Sequence, residues 1–313
     1  MSIPFIDLKR QYSALETDIR EAIDTVLKHS QFLLGPEVTR LEEEMAQYIG
    51  VKNVIGCSSG TDGLLACLMS QDVGPGDAIF TSPFTFIATA EVISFLGATP
   101  VFVDIDPRTF NLDPEKLNEA VGRVSREGRL RPRAVIPVDL FGLPADYDPI
   151  MDIAGKDDLF VLEDAAQAIG GTYHGRKAGN LGHAAATSFY PTKPLSCYGD
   201  GGAIFTNDDQ LAEKIRSILV HGQGKHKYDH VRTGITGRLD TIQAAILLVK
   251  LTVYPKELER RQRVVEQYNR GLKDLVEIPL IPAGLTSSWA LYSILCDRRD
   301  DLQKDLALSL IHI

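Results

Sequence analysis

An α/β protein with a mostly parallel central sheet is what this sequence predicts, and three observations predict it. Short apolar runs alternate with amphipathic stretches over most of the chain. The runs, such as Ala134-Val135-Ile136-Pro137-Val138, are continuously apolar, as strands covered on both faces must be. Turns rich in serine and glycine follow such runs and open helices, which brings polar groups to the carboxyl ends of strands.

The elements follow in order. Apolar positions three and four apart predict helices from about Asp18 to His29 and from Glu37 to Ile49, hinged at Gly35-Pro36. Val54-Ile55-Gly56 reads as a strand, and the turn Ser58-Ser59-Gly60-Thr61-Asp62-Gly63 opens a helix at Leu64. Strands are predicted at Ala78–Thr81, Pro100–Asp104, Ala134–Val138 and Leu159–Leu162, with helices near Thr85–Phe95 and Pro114–Val124 between them. Gly201–Thr206 reads as a further strand and Asp209–Val220 as a helix. A long helical run from Asp240 to about Leu272, broken near Pro255, leads to a smaller domain, in which Ser288–Leu295 is a predicted strand. The expected division is a helical segment over 1–35, a large α/β domain over 36–245 and a small α+β domain over 246–313.

Composition narrows the classes of function. A chain of 313 residues, 44% hydrophobic and 24% charged, can bury a large core. The net charge of -9 opposes a general affinity for nucleic acid or anionic membranes. Cys57, Cys67, Cys197 and Cys296 are widely spaced and form no C-x-x-C pair, so reduced thiols in the cytoplasm are expected, with neither a disulfide framework nor a zinc knuckle. The amino terminus carries no basic and apolar export signal, and no stretch approaches a membrane span. His221, His226 and His230 invite a metal reading, but their glycine-rich basic loop argues against one, and no metal is expected.

The chemistry centres on Lys193, in Ser188-Phe189-Tyr190-Pro191-Thr192-Lys193, and on Asp164, just after the apolar run Leu159–Leu162. Alone, such a lysine reads as a solvated loop charge and such an aspartate as a turn residue. Together they suit pyridoxal 5'-phosphate, which needs an amine to hold it as a Schiff base and a carboxylate to keep its ring nitrogen protonated. The amine then serves as base and acid in turn. Gln167 is placed to hydrogen-bond the ring oxygen. Gly60 and Thr61 offer helix-terminal amides to the phosphate, Ser188 a hydroxyl, and Phe86 a ring to stack on the cofactor. No G-x-G-x-x-G follows the first predicted strand, which counts against a nicotinamide enzyme.

In this order, Ser58-Ser59-Gly60-Thr61-Asp62, Phe84-Thr85-Phe86-Ile87-Ala88-Thr89-Ala90, Glu163-Asp164-Ala165-Ala166-Gln167, Ser188–Lys193 and Gly199-Asp200-Gly201-Gly202 resemble the DegT/DnrJ/EryC1/StrS family of nucleotide-sugar aminotransferases. The resemblance runs from about Ile3 to Leu306. It implies the fold type I architecture of pyridoxal phosphate enzymes, like that of aspartate aminotransferase. It also implies a homodimer with shared active sites, and transfer of an amino group from L-glutamate to a keto-sugar nucleotide. Within the family, Pro4–Lys9, Leu34–Val38 and Gly237–Ala245 are most similar to enzymes that aminate a UDP-linked 3-keto N-acetyl-glucuronate for O-antigen and other surface polysaccharides.

By that similarity Arg238, reaching from the partner subunit, pairs with the substrate's carboxylate, and Phe32 and Thr192 lie near the sugar nucleotide. Thr236 stands where the family commonly has an asparagine directed at the phosphate of the neighbouring subunit's cofactor. The ending Leu308-Ser309-Leu310-Ile311-His312-Ile313 departs from the family, so an incomplete small domain with exposed apolar surface is expected. Sugar dehydratases of the family replace the lysine with histidine, which Lys193 argues against. The remaining alternatives are a 4-keto-6-deoxy-sugar aminotransferase and a non-catalytic binding or regulatory protein on the same fold.

Overall fold

The computed structural model describes residues 6–226 and 228–308. Expectations resting on Ile3 to Phe5, on Lys227 and on the terminal Ser309–Ile313 fall outside these residues. The elements in chain order are α1 (Leu8–His29), α2 (Pro36–Ile49), β1 (Asn53–Cys57), α3 (Gly60–Ser70), β2 (Asp77–Thr81), α4 (Ala88–Phe95), β3 (Thr99–Phe102) and α5 (Pro114–Glu127). Then come β4 (Arg131–Ile136), α6 (Tyr147–Asp157), β5 (Phe160–Asp164), β6 (Thr172–Tyr173), β7 (Arg176–Lys177), β8 (Ala184–Ser188) and β9 (Gly202–Thr206). The last are α7 (Asp209–Ile218), α8 (Thr241–Leu272), β10 (Leu285–Thr286) and α9 (Arg299–Leu308).

Seven strands form the central sheet in the order β1-β9-β8-β5-β4-β2-β3. The pairs β8–β5, β5–β4, β4–β2 and β2–β3 are parallel, and β9 runs antiparallel to both β1 and β8. Strand residues alternate between the two faces, as a period of two requires. Ile55, Ile79, Ala134, Leu162, Ala186 and Ile204 pack under α3, α4 and α7. Their neighbours face the other way: Val54, Ala185 and Phe205 beneath α2 and α8, and Phe80, Val135 and Val161 beneath α5 and α6. Helices therefore cover both faces, and the apolar runs are explained.

The alanine-rich β8 escapes a strand pattern because Ala favours strands poorly, yet small side chains are what this place requires. A Cβ added to Gly63 of α3 would come within 3.2 Å of the Ala186 methyl, so α3 lies almost directly on the strand. A second, three-stranded sheet in the order β10-β6-β7 joins residues near 285 to residues near 175.

Three expectations change. The first helix starts ten residues early, at Leu8, where the Asp7 side chain accepts a hydrogen bond from Arg10 N at 3.0 Å and caps it. The helix around Pro255 does not break: α8 runs unbroken from Thr241 to Leu272 with the proline inside. Packing explains this, since Leu247, Leu248, Leu251 and Tyr254 are locked into the core and Tyr254 Oη donates to Ile169 O. The expected division at 245/246 thus falls inside one helix.

Ser288–Leu295 is not a strand either. Its amides find single partners instead of a sheet edge: Ser288 N donates to Gly142 O at 2.9 Å and Leu291 N to Phe141 O at 3.3 Å. Trp289 adopts φ 53°, which extended structure excludes. Exposed apolar surface near the end shows in Leu275, Leu291 and Leu295.

Candidate active site

Asp164 ends β5, in the middle of the sheet, with its backbone tied to the next strand's continuation by Asp164 N to Pro137 O and Asp139 N to Asp164 O. Its side chain is 6% exposed. One carboxylate oxygen accepts the Thr89 hydroxyl at 2.8 Å and the other the Ala166 amide at 3.2 Å. Thr85 Oγ1 lies 2.9 Å from Thr89 Oγ1; with the Thr89 proton given to Asp164, the Thr85 hydroxyl is the donor there. Burial pushes the Asp164 carboxyl above its ordinary range, while Thr89, the Ala166 amide and the charge of Lys193 pull the other way.

Lys193 occupies the loop after β8, where its own amide donates to Tyr190 O at 2.8 Å. Its side chain is partly buried, and that burial lowers its pKa below the usual lysine value against the opposing pull of Asp164. A buried amine near a single carboxylate is in the state an imine-forming lysine needs.

The residues expected to hold a phosphate are brought together by a close approach. Gly60 is the first residue of α3, and a Cβ there would meet Ser188 Cβ at 2.9 Å. Only glycine lets the helix N-terminus touch the end of β8. The amides of Gly60 and Thr61 begin α3 and have no partner within the helix. Ser59 caps the turn through Asp62 N at 3.0 Å. Ser188 Oγ accepts from Tyr190 N at 3.2 Å, which leaves its proton to give. Gly202 of β9 serves the same approach, since its Cβ would collide with Ser59 O at 2.7 Å. The donors and the space suit a phosphate next to an amine and a buried carboxylate, so the residues present fit pyridoxal 5'-phosphate.

The other expected residues are placed as follows. Gln167 Oε1 accepts from Phe141 N at 2.7 Å, which orients the amide, and Gln167 O accepts from Ser288 Oγ. Phe86 is 69% exposed, one helical turn before Thr89. Thr192 is exposed next to Lys193. Phe32 is 46% exposed while its carbonyl accepts from Thr241 N. The Thr236 hydroxyl lies 2.5 Å from His221 Nε2. Arg238 forms no ion pair among the described residues, and its buried Nε has no hydrogen-bond partner. His230 Nδ1 contacts His221 O at 2.9 Å, and among the described residues no His, Cys, Asp and Glu side chains cluster as a metal site. Nor is any described helix long and apolar enough to cross a membrane.

Sequence reasoning missed Thr89. The signal was present, because Thr85 and Thr89 stand four apart in a segment leading into a helix and so share one face. It also missed Asp139, whose Oδ1 accepts from Ala145 N and Tyr147 Oη at 2.9 Å each. Asp139 and Glu163 are both fully buried behind Asp164. Glu163 accepts the amides of Gly179 and Leu181 at 2.5 and 2.9 Å, and burial pushes its pKa up to about 7.

The profile of the DegT/DnrJ/EryC1/StrS aminotransferase family matches residues 13–312. The UDP-2-acetamido-2-deoxy-3-oxo-D-glucuronate aminotransferase of Pseudomonas aeruginosa is 48% identical over 97% of this chain and 83% of its own length. The crystal structure of a DegT DnrJ EryC1 StrS aminotransferase from Brucella abortus superposes with a TM-score of 0.97 at 50% identity, over 98% of this chain and 82% of that one. NtdA from Bacillus subtilis, solved with bound cofactor PMP, superposes with a TM-score of 0.89 at 29% identity, over 99% of this chain and 70% of that one. With its fold, its sheet-end lysine and carboxylate and these likenesses in agreement, the chain belongs to the DegT/DnrJ/EryC1/StrS aminotransferase family.

Proposed function

We propose that this protein transfers an amino group to the keto carbon of a sugar nucleotide, using pyridoxal 5'-phosphate, Lys193 and Asp164. The observation that carries the reading is a partly buried lysine, in the loop after β8, that feels the charge of the buried, doubly hydrogen-bonded carboxylate ending β5. When bound, the cofactor supplies an electron sink for the pair left on the substrate carbon. Asp164 would hold the proton on the cofactor's ring nitrogen, and the Thr89 hydrogen bond favours its charged form. The Lys193 amine would hold the cofactor and would serve as the group that moves a proton at the substrate carbon. Gly60, Thr61 and Ser188 hold the phosphate, Gln167 the ring oxygen, and Phe86 the ring face.

For substrate we favour a UDP-linked 3-keto N-acetyl-glucuronate, in surface polysaccharide synthesis, with L-glutamate as donor. The name of the Pseudomonas relative supports the sugar, and Arg238, which makes no ion pair among the described residues, supplies a guanidinium for a uronate carboxylate. Arg238, Phe32 and Thr236 are read as serving the neighbouring site of a homodimer. Exposed Phe32, Leu33, Leu34, Phe86 and Ile87 supply apolar surface for a second copy to cover. Free, mostly buried cysteines are in keeping with the cytoplasm.

The test is direct. Purified protein with the cofactor should absorb visible light, lose that absorbance on addition of L-glutamate, and be labelled at Lys193 after borohydride reduction. A label on another lysine would overturn the site assignment. Turnover of a neutral 4-keto-6-deoxy-sugar nucleotide equal to that of the 3-keto uronate would overturn the substrate.

A further inference from the structure

Lys250 is 2% exposed and forms no ion pair among the described residues. A lysine is almost never buried in this way unless something holds its charge. Its Nζ has two neighbours, Ser196 Oγ at 3.3 Å and the ring of Tyr198, whose centroid lies 4.2 Å away. Both belong to the segment that follows Lys193. Two further side chains of α8 grip the same segment: Gln243 takes Tyr198 N at 2.9 Å and Tyr198 O at 3.3 Å, and Arg261 donates to Pro194 O at 3.1 Å. Residues 243, 250 and 261 are separated by close to whole turns, so one face of α8 presents all three. From the opposite side Tyr12 of α1 packs edge-on against Tyr198 at 6.1 Å.

We infer that Lys250 is a positioning residue, a cation that clamps the loop of Ser196 and Tyr198 and thereby fixes the amine of Lys193 relative to Asp164. The inference rests on Lys193 being the cofactor lysine.

The energetics separate this role from simple packing. Burial pushes the Lys250 ammonium down to about 8, with Cys197 and Glu257 opposing the fall. The groups around it are Cys197 and Tyr198 on the loop, Tyr12 behind Tyr198, and Glu257 on its own helix, which Gln11 Nε2 engages at 3.0 Å. A lysine whose pKa falls on folding opposes folding fully below about pH 8, and that opposition fades as pH rises toward the unfolded value. An apolar side chain of similar length would carry no such cost. A cation buried at a cost to stability calls for a role beyond packing, and its contacts with Ser196 and Tyr198 point to the clamp on the Lys193 loop.

The experiment compares wild type, Lys250→Met and Lys250→Arg. Amide hydrogen exchange of residues 195–199 is read in the cofactor-free protein, with thermal melting and cofactor affinity in parallel. At pH 7, K250M should melt at or above the wild-type temperature, yet exchange about tenfold faster in this segment and bind cofactor about tenfold more weakly, as loss of a desolvated cation–π contact implies. Wild-type protection of the segment, corrected for intrinsic exchange, should fall between pH 7 and 9. K250R, charged throughout, should match wild type at pH 7 and keep its protection at pH 9.

Unchanged exchange in K250M overturns the clamp, as does a lowered melting temperature in both variants. If K250M does not fold, K250R decides: loss of protection at pH 9 equal to that of wild type overturns the inference. The exchange reading needs no chemistry at Lys193, so a wrong lysine shows in borohydride labelling and a wrong clamp shows in exchange.

Discussion

Thr89 and Asp164 lie 75 residues apart in sequence and meet at 2.8 Å, hydroxyl to carboxylate, where α4 crosses the end of β5. Burial pushes the Asp164 carboxyl above its ordinary range, and the Thr89 hydroxyl opposes that rise. Thr89→Val keeps the shape and removes the hydrogen bond. Its loss should raise the Asp164 pKa, so the acid limb of the kcat/KM profile should move to higher pH. Activity should fall by about 10- to 100-fold, the worth of a hydrogen bond to a charged group. A pH–rate series over both proteins checks this, and an unmoved limb would count against Asp164 acting as a carboxylate.

Lys193→Ala should abolish the visible absorbance and borohydride labelling and reduce turnover by about 10²- to 10⁴-fold, the usual contribution of a positioned acid–base group. Melting should change little, because the side chain is only partly buried. Spectra and calorimetry on the same preparation separate loss of chemistry from loss of fold.

Gly60→Ala tests the cradle. Its methyl would sit 2.9 Å from Ser188 Cβ and 3.3 Å from Thr187 O, and it has to push α3 off β8. A cost to stability of about 1–3 kcal/mol follows from overpacking. The diagnostic result is selective: affinity for the phosphorylated cofactor should fall at least tenfold, as expected for losing helix-terminal hydrogen bonds to a dianion, while that for pyridoxal without phosphate should hold. Equal losses for both would point away from a phosphate site.

Asp139→Asn addresses the carboxyls behind the site. Burial holds Asp139 well above the ordinary aspartate range and Glu163 at about 7, each raised further or relieved by the other. Groups raised on folding hold protons that the unfolded chain has released, so stability falls as pH rises from the ordinary carboxylate range through about 7. An amide at 139 keeps the acceptor for Ala145 N and Tyr147 Oη and offers a permanent hydrogen toward Glu163. The variant should melt a few degrees above wild type at pH 8 and show a flatter dependence between pH 5 and 8. A steeper dependence would sink the idea.

Much of this was legible in the chain, and the exceptions have physical causes. The two-faced strands at Ala134 and Phe160 announced themselves by apolar continuity, and Asp164 stood where such a strand ends, while Lys193 was legible only from its own motif. Thr89 was hidden because its value comes from a residue 75 positions away. β8 was hidden because close packing of α3 selects alanine, a residue with little preference for strands. The Ser288 segment has an apolar and aromatic pattern, but its amides are satisfied one at a time by the Phe141–Gly142 turn, and no composition rule encodes a missing sheet edge. Lys250 reads as an ordinary helix lysine until the loop over it is known.

The position of β1 has a consequence for how the protein is made. Its sheet partner β9 lies about 150 residues further on, Asn53 against Thr206. At a synthesis rate of about 5–20 residues per second, roughly 8–30 s pass before β1 can pair. During that interval β1 can pack against α2 and α3 but has no strand to pair with. A newborn chain of this protein is therefore a natural client for a ribosome-associated chaperone, and slowing translation ahead of β9 should lower its soluble yield more than slowing it afterwards.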